Sequence, residues 1–247
     1  MERRAILIGT NRATSDHLQG VDADIRNLYE YLRSDVGGAW EHNEIVHLPA
    51  PSADGLGQLL VRCQRDQPDF LFVAFSGHGF ENRYDEPIIC LSQDQNLAVA
   101  ALQGHAIRQV TVIDACRVQV PGNLRERHIV AGTDVGGFER SDYRKSCRDF
   151  FDTALRSVPS GDVLLQSCLS GQYSSDYPNG GLFLHSLVNQ ARFEASRQSN
   201  WQQCRRFQPI RDAFDAAFSV TNQHNRNQHP VSRGTEREGG QLPFAVA

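Results

Sequence analysis

A thiol and an imidazole, each at the end of an apolar run, are the residues of this chain best placed to do chemistry. The stretch QVTVIDACR, residues 109–117, carries Val110, Val112 and Ile113 into Asp114, Ala115 and Cys116. The run over residues 70–75 ends in the same manner, in Ser76, Gly77, His78 and Gly79. An ordinary cysteine thiol, with a pKa of about 8.5, is mostly protonated at neutral pH, so a nucleophilic cysteine needs an activating neighbour. His78 is that neighbour: Cys116 attacks a carbonyl carbon, and the imidazole acts as general acid and base, protonating the leaving amine. Gly79 adds an amide with no side chain in the way, able to approach a substrate and, with the Cys116 amide, to donate to a developing oxyanion. Taken alone, Cys116 equally suits a buried structural cysteine. The paired histidine favours the nucleophile; the other eight histidines and five cysteines have no comparable setting.

Asp114 precedes Cys116 by two residues, so on an extended strand its side chain shares the cysteine's face. A carboxylate beside a thiol opposes thiolate formation, which makes Asp114 a poor activator and a better ligand for a cationic substrate group; bonding to loop amides is its plainer role. Asp24, in GVDADIRNL over residues 20–28, either favours a helix N-terminus through the dipole or faces a ligand. Asp176, in SSDYPNGG, sits in a stretch whose turn chemistry alone explains an aspartate.

These residues need a frame that brings two strand ends together. Residues 4–8 read as a first strand, and a helix starts near Val21, with Ile25, Leu28 and Leu32 at helical spacing until Gly37 and Gly38 stop it. A strand over 44–48 and a helix carrying Leu56, Leu60 and Cys63 follow, and Pro68 precedes the histidine strand. Strand alternating with helix is the pattern of a mostly parallel sheet with helices on both faces, whose ligands bind at the carboxyl ends of the strands. A small hairpin strand over 88–91 and a third helix over 98–107 lead to the cysteine strand. Residues 118–160 read as irregular, with a short helix over 150–155 at most. Order resumes with a strand over 162–168, helices over 180–193 and 210–220, and a final edge strand over 242–246; residues 223–237 read as solvated loop.

The motifs SGHG and DAC, each after a strand, resemble the His-Gly and Asp-x-Cys motifs of the caspase-like cysteine peptidases, in the metacaspase and paracaspase branch and its bacterial homologues. Caspases proper carry Gln-Ala-Cys with the histidine roughly 50 residues upstream, whereas here Asp114 replaces that glutamine and His78 lies 38 residues before Cys116. The resemblance implies an α/β caspase-hemoglobinase fold forming one peptidase domain over residues 1–247. Residues 1–117 would be large-subunit-like, 118–160 a linker open to cleavage, and 161–247 small-subunit-like. It implies cysteine endopeptidase activity, with His78 and Cys116 catalytic. Asp24 matches the acidic residue closing the primary specificity pocket, and Ser76 matches the serine two before the histidine; Asp176 falls where relatives contact substrate. With Asp114, these imply a substrate that is a protein or peptide with arginine, or lysine, at the cleavage site. Arginine is favoured because its guanidinium offers several planar donors. Caspases that cut after aspartate carry an arginine where this chain has Leu18, which counts against that specificity.

Many metacaspases bind calcium through acidic residues after the catalytic strand, but VQVPGNLRER is acid-poor, and Asp85, Glu86 and Asp94 are too sparse for an oxygen cage of about six to eight ligands. No metal or cofactor is expected. The trigger proposed instead is a cut in the arginine-rich segment from Arg125 to Arg148, by the enzyme itself or an upstream protease, which makes the chain a zymogen. A net charge of −4 gives no reason to expect nucleic acid or an anionic membrane as partner. Six cysteines without metal spacing, and no leader or membrane span in the sequence, read as reduced thiols in a cytoplasm. A catalytically silent caspase-like interaction module remains the alternative, opposed by the intact His78 and Cys116. An unrelated flavodoxin-type binding domain is disfavoured because LIGTNRATS is no phosphate loop.

Overall fold

Alternating apolar runs and amphipathic stretches build the elements in chain order. In the computed structural model, which describes residues 1–11, 13, 17–118, 141–198 and 204–247, these are β1 (Arg3–Thr10), α1 (Val21–Arg33), β2 (Ile45–Pro49), α2 (Ala53–Asp66), β3 (Phe70–Gly77), β4 (Gly79–Glu81), β5 (Pro87–Cys90), β6 (Asn96–Ala98), β7 (Arg108–Asp114), α3 (Ser141–Ser157), β8 (Gly161–Gln166), β9 (Asp176–Tyr177), β10 (Gly180–Gly181), α4 (Leu182–Gln198), β11 (Phe207–Pro209), α5 (Ile210–His224), β12 (Val231–Arg233) and β13 (Pro243–Val246). The main sheet has the order β12-β8-β7-β3-β1-β2. All its neighbours run parallel except β12, which is antiparallel to β8 at the edge.

Side chains alternating across the sheet feed two cores. Ala5, Leu7, Phe70, Phe72, Val110 and Val112 pack under α1, α3, α4 and α5. Ile6, Ile8, Leu71, Val73, Phe75 and Ile113 pack against α2, through Leu56, Leu60 and Cys63. All eight residues of β3 are buried, as a central parallel strand covered on both faces requires.

The structure departs from the sequence reading in five places. Residues 98–107 form no α-helix: β6 ends at Ala98, a single 3-10 turn spans Val99–Leu102, and Gly104 adopts a positive φ of 76° that helix continuation does not allow. The expected irregular run instead contains the 17-residue α3, whose buried stripe Cys147, Phe151 and Leu155 is hidden in the sequence among arginines. Two of these arginines are anchors: Arg144 donates to the carbonyls of Arg33 and Trp40, and Arg148 donates to Ala39 O at 3.0 Å and pairs with Glu44. Buried Arg3, at the start of β1, joins them, donating to Gly38 O at 2.9 Å, lying 3.5 Å from Asp152 and stacking 4.8 Å from the Trp40 ring. Burial lowers its pKa to about 10. Cys147 on α3 is bridged to Cys204, correcting the expectation of six reduced thiols, since a spacing of 57 residues carries no local signal. Strand β13 pairs with β11 instead of extending the main sheet. The edge position belongs to β12, three residues within the stretch read as loop. Residues 119–140, with Arg125, Arg127 and Arg140, lie outside the described residues.

Candidate active site

The site forms where β3 and β7 end side by side. Their parallel register pairs Ser76 with Asp114, and two residues beyond each lie His78 and Cys116, both half-buried. Backbone contacts fix this approach. His78 O accepts from Cys90 N at 2.9 Å, and a Cβ at Gly79 would lie 2.8 Å from Ala115 Cβ and 3.0 Å from Cys116 O. Glycine is therefore required for the two segments to touch, the one reason visible in the packing for its identity.

Around the thiol, Ser174 supplies two polar contacts: its amide donates to Cys116 Sγ at 3.3 Å, and its carbonyl lies 3.7 Å from the same sulfur. An amide donor stabilises a thiolate over a thiol. Cys116 is followed by Arg117, 8% exposed, whose guanidinium pairs at 2.5 Å with Glu81, 3% exposed. Glu81 also accepts from Ser170 Oγ at 2.5 Å. The Arg117 backbone bonds to Gln172 O at 2.9 Å and accepts from Gly171 N at 2.8 Å. The peptide after the cysteine is thus tied to β4 and to the loop following β8.

The acidic residues converge beside this centre. Asp24, on the first turn of α1, accepts from Ser76 Oγ at 2.6 Å and from Gly181 N at 2.9 and 3.0 Å to its two oxygens. Asp114 accepts from Ser174 Oγ and from Leu184 N, the latter at 3.0 Å. Asp176, the most exposed of the three, accepts from Gly20 N at 3.1 Å. Asp24 and Asp114 are 2% and 5% exposed. Burial raises the pKa of Asp24 well above the usual carboxylate range, with the charges of Asp114 and Asp176 adding to it. Asp114 is raised too, by burial first and by Asp176, against the lowering effect of its hydrogen bonds. Like charges forced together in a dry site favour a shared proton or an entering cation.

The predicted residues Ser76, His78, Gly79, Asp114 and Cys116 come together on one sheet edge, with Asp24 and Asp176 brought to them by α1 and β9. Sequence reasoning missed Ser174, Arg117, Glu81 and Gln228, a fully buried residue before β12. Ser174 and Arg117 had a signal, adjacency to Asp176 and Cys116; Gln228 had none. Among the described residues no group of three His, Cys, Asp or Glu is arranged to hold a metal ion, and no helix is long and apolar enough to cross a membrane.

The chain belongs to the caspase domain family, whose model matches residues 2–235, a family of cysteine peptidases acting on proteins. Its fold is similar to that of caspase-1 from Spodoptera frugiperda, at 13% identity and a TM-score of 0.59 over 94% of this chain and 86% of that one. It is similar also to a Geobacter sulfurreducens protein of known crystal structure, at 14% identity and a TM-score of 0.58 over 94% and 93%. At such identities the likeness is one of fold. No curated protein sequence matches the chain.

Proposed function

We propose that this caspase-domain protein is a cysteine endopeptidase that cleaves after arginine, tolerating lysine, as in the metacaspase branch. His78 takes the Cys116 thiol proton as the sulfur attacks the scissile carbonyl carbon, and the tetrahedral oxyanion is held by the amides of Gly79 and Cys116. His78 protonates the departing amine as the C–N bond breaks, then takes a proton from the water that hydrolyses the thioester. Asp24, Asp114 and Asp176 hold the basic side chain, and Ser76 orients Asp24. The observation that carries this reading is the convergence of three carboxylates beside the thiol, two of them buried. A guanidinium neutralises such a cluster with several donors at once, whereas an aspartate side chain would add a further negative charge.

Activation by a cut in the linker remains part of the reading, narrowed by α3. Arg144 and Arg148 are helical and engaged, which disfavours them as cleavage sites and leaves Arg125, Arg127 and Arg140 as the candidate basic sites of the segment. The large-subunit-like part then ends before α3, and the bridge between Cys147 and Cys204 stays within the second part. The cytoplasm is the compartment proposed; the bridge cysteines, 0% and 4% exposed, are shielded from small-molecule reductants.

The test is hydrolysis of matched fluorogenic peptides ending in arginine, lysine or aspartate, with wild type and Cys116→Ala, with and without calcium and after limited proteolysis. Arginine cleavage that vanishes in the variant and ignores calcium is the expected result. Preference for aspartate, or undiminished activity in Cys116→Ala, overturns the reading.

A further inference from the structure

Gln228 lies in the turn between α5 and β12, its amide donating to Asn225 O at 3.1 Å, and its side chain is 0% exposed. All the hydrogen-bonding groups of its carboxamide point at the site. Nε2 donates to Ser167 O at 3.1 Å and to Ser174 Oγ at 3.2 Å, while Oε1 accepts from Ser175 N at 3.0 Å. The partners fix which end is which: a backbone carbonyl requires the NH2, and a backbone amide requires the oxygen. Asn225 adds a second tie from the same turn, donating to Ser175 Oγ at 2.9 Å.

One consequence is directional. Because Gln228 donates to Ser174 Oγ, that hydroxyl has an accepting role there and turns its single proton to Asp114. The same serine presents its amide to Cys116 Sγ. We propose that Gln228 is a positioning residue which, through Ser174, keeps Asp114 in its ionised, cation-binding form and holds the nucleophile's amide donor in place. This rests on the peptidase reading above and deepens it: a residue on the far side of Ser174, touching neither substrate nor thiol, sets whether the pocket is open to a guanidinium.

The groups facing Asp114 all bear on its charge. Asp24 approaches from α1, Asp176 from β9 and Cys168 from beyond β8; α4 contributes the Leu184 amide, and its own segment carries Cys116 and Arg117. The two aspartates oppose ionisation, and the Ser174 hydroxyl, the Leu184 amide and the Ser167 hydroxyl favour it.

The experiment is the pH profile of kcat/KM on an arginine peptide for wild type, Gln228→Met, Gln228→Glu, Ser174→Ala and the Gln228→Met/Ser174→Ala double variant. Methionine removes both donors at similar volume. Glutamate carries at most one proton where glutamine carries two, so it moves the profile the same way and serves should Gln228→Met not fold. The acid limb is expected to move up by about one pH unit in each single variant, with activity largely regained at higher pH, and to move no further in the double. A uniform loss at every pH, or shifts that add in the double, overturns the relay and leaves Gln228 a structural residue. Wild type that ignores arginine peptides, or Asp114→Asn that cleaves them as well as wild type, overturns the peptidase reading and the relay together. An unmoved acid limb with intact, Asp114-dependent arginine cleavage overturns the relay alone.

Discussion

Asp24 and Asp114 meet across Gly181. The Gly181 amide donates to Asp24 at 2.9 Å, and a Cβ on the same residue would lie 2.4 Å from Asp114 Oδ2. One carboxylate comes from a helix start and the other from a strand end, and they meet at the glycine ribbon that leads into α4. Their proximity costs stability in the empty protein, and a bound cation recovers it.

Asp24→Asn should therefore stabilise the protein near neutral pH while removing its cleavage of arginine peptides. Its raised pKa means the folded chain holds the proton more tightly than the unfolded one, so stability is lost as pH rises from the ordinary value of 3.8 through the raised folded value. Asparagine keeps an acceptor for Gly181 N without the charge, while its NH2 reverses the bond that Ser76 Oγ now donates. Thermal melts across pH should show a Tm gain of a few degrees at pH 7 that fades in acid, and kcat/KM on arginine should fall by about 100-fold or more.

Gly79→Ala should lower kcat by about 100-fold through misplacement of the reacting groups. Its methyl would meet Ala115 Cβ at 2.8 Å, Ile88 O at 2.9 Å and Cys116 O at 3.0 Å, and backbone cannot yield as a flexible side chain would. Gly57→Ala on α2 is the control, with nothing within 4 Å of the added carbon; it should leave kcat unchanged and stabilise by about 0.5–1 kcal/mol. Steady-state kinetics beside urea unfolding separates the two.

Removing Arg117 alone should cost about 3–5 kcal/mol, because it leaves Glu81 charged and buried. Arg117→Met with Glu81→Met should recover most of that loss, since no orphan charge remains. Denaturant unfolding of the two single variants and the double measures the coupling; equal losses in single and double would show that the pair does not act as a unit.

Reduction of the bridge, or Cys147→Ser, should lower stability by up to about 4 kcal/mol on the chain-entropy estimate for a loop of this length. Helix α3 packs over the amino-terminal ends of the strands, where Phe151 meets Trp40 and Phe70, at the opposite edge from Cys116. Hydrolysis below the melting range should be unaffected by loss of the bridge, and the same peptide assay on Cys147→Ser checks it.

The parts legible in the sequence were those written locally. Phe70 to Phe75, unbroken in apolar character, and Val110 to Ile113, β-branched throughout, announce buried parallel strands, and each run leads to a residue type that suits chemistry. Asp24 was legible only by the resemblance, since in its own segment it looks like any helix-start acid. Helix α3 was obscured because its buried stripe is narrow and its arginines, which read as solvated, spend their donors on carbonyls of Arg33, Ala39 and Trp40. Gln228 and β12 were invisible for a different reason: three residues of edge strand have no periodicity to detect, and the worth of a buried amide depends on partners more than fifty positions away.

The burial pattern of the cysteines makes this six-cysteine chain, in practice, a single-thiol reagent. Cys147 and Cys204 are bridged, and Cys63, Cys90 and Cys168 are 0%, 7% and 0% exposed. Burial also pushes the Cys90 thiol up to about 11 and Cys168 to about 12, so neither forms much thiolate at neutral pH. Electrophiles that require a thiolate are left with Cys116. The stoichiometry of covalent capture in the folded protein therefore counts competent molecules directly, with no need to mutate the other thiols away.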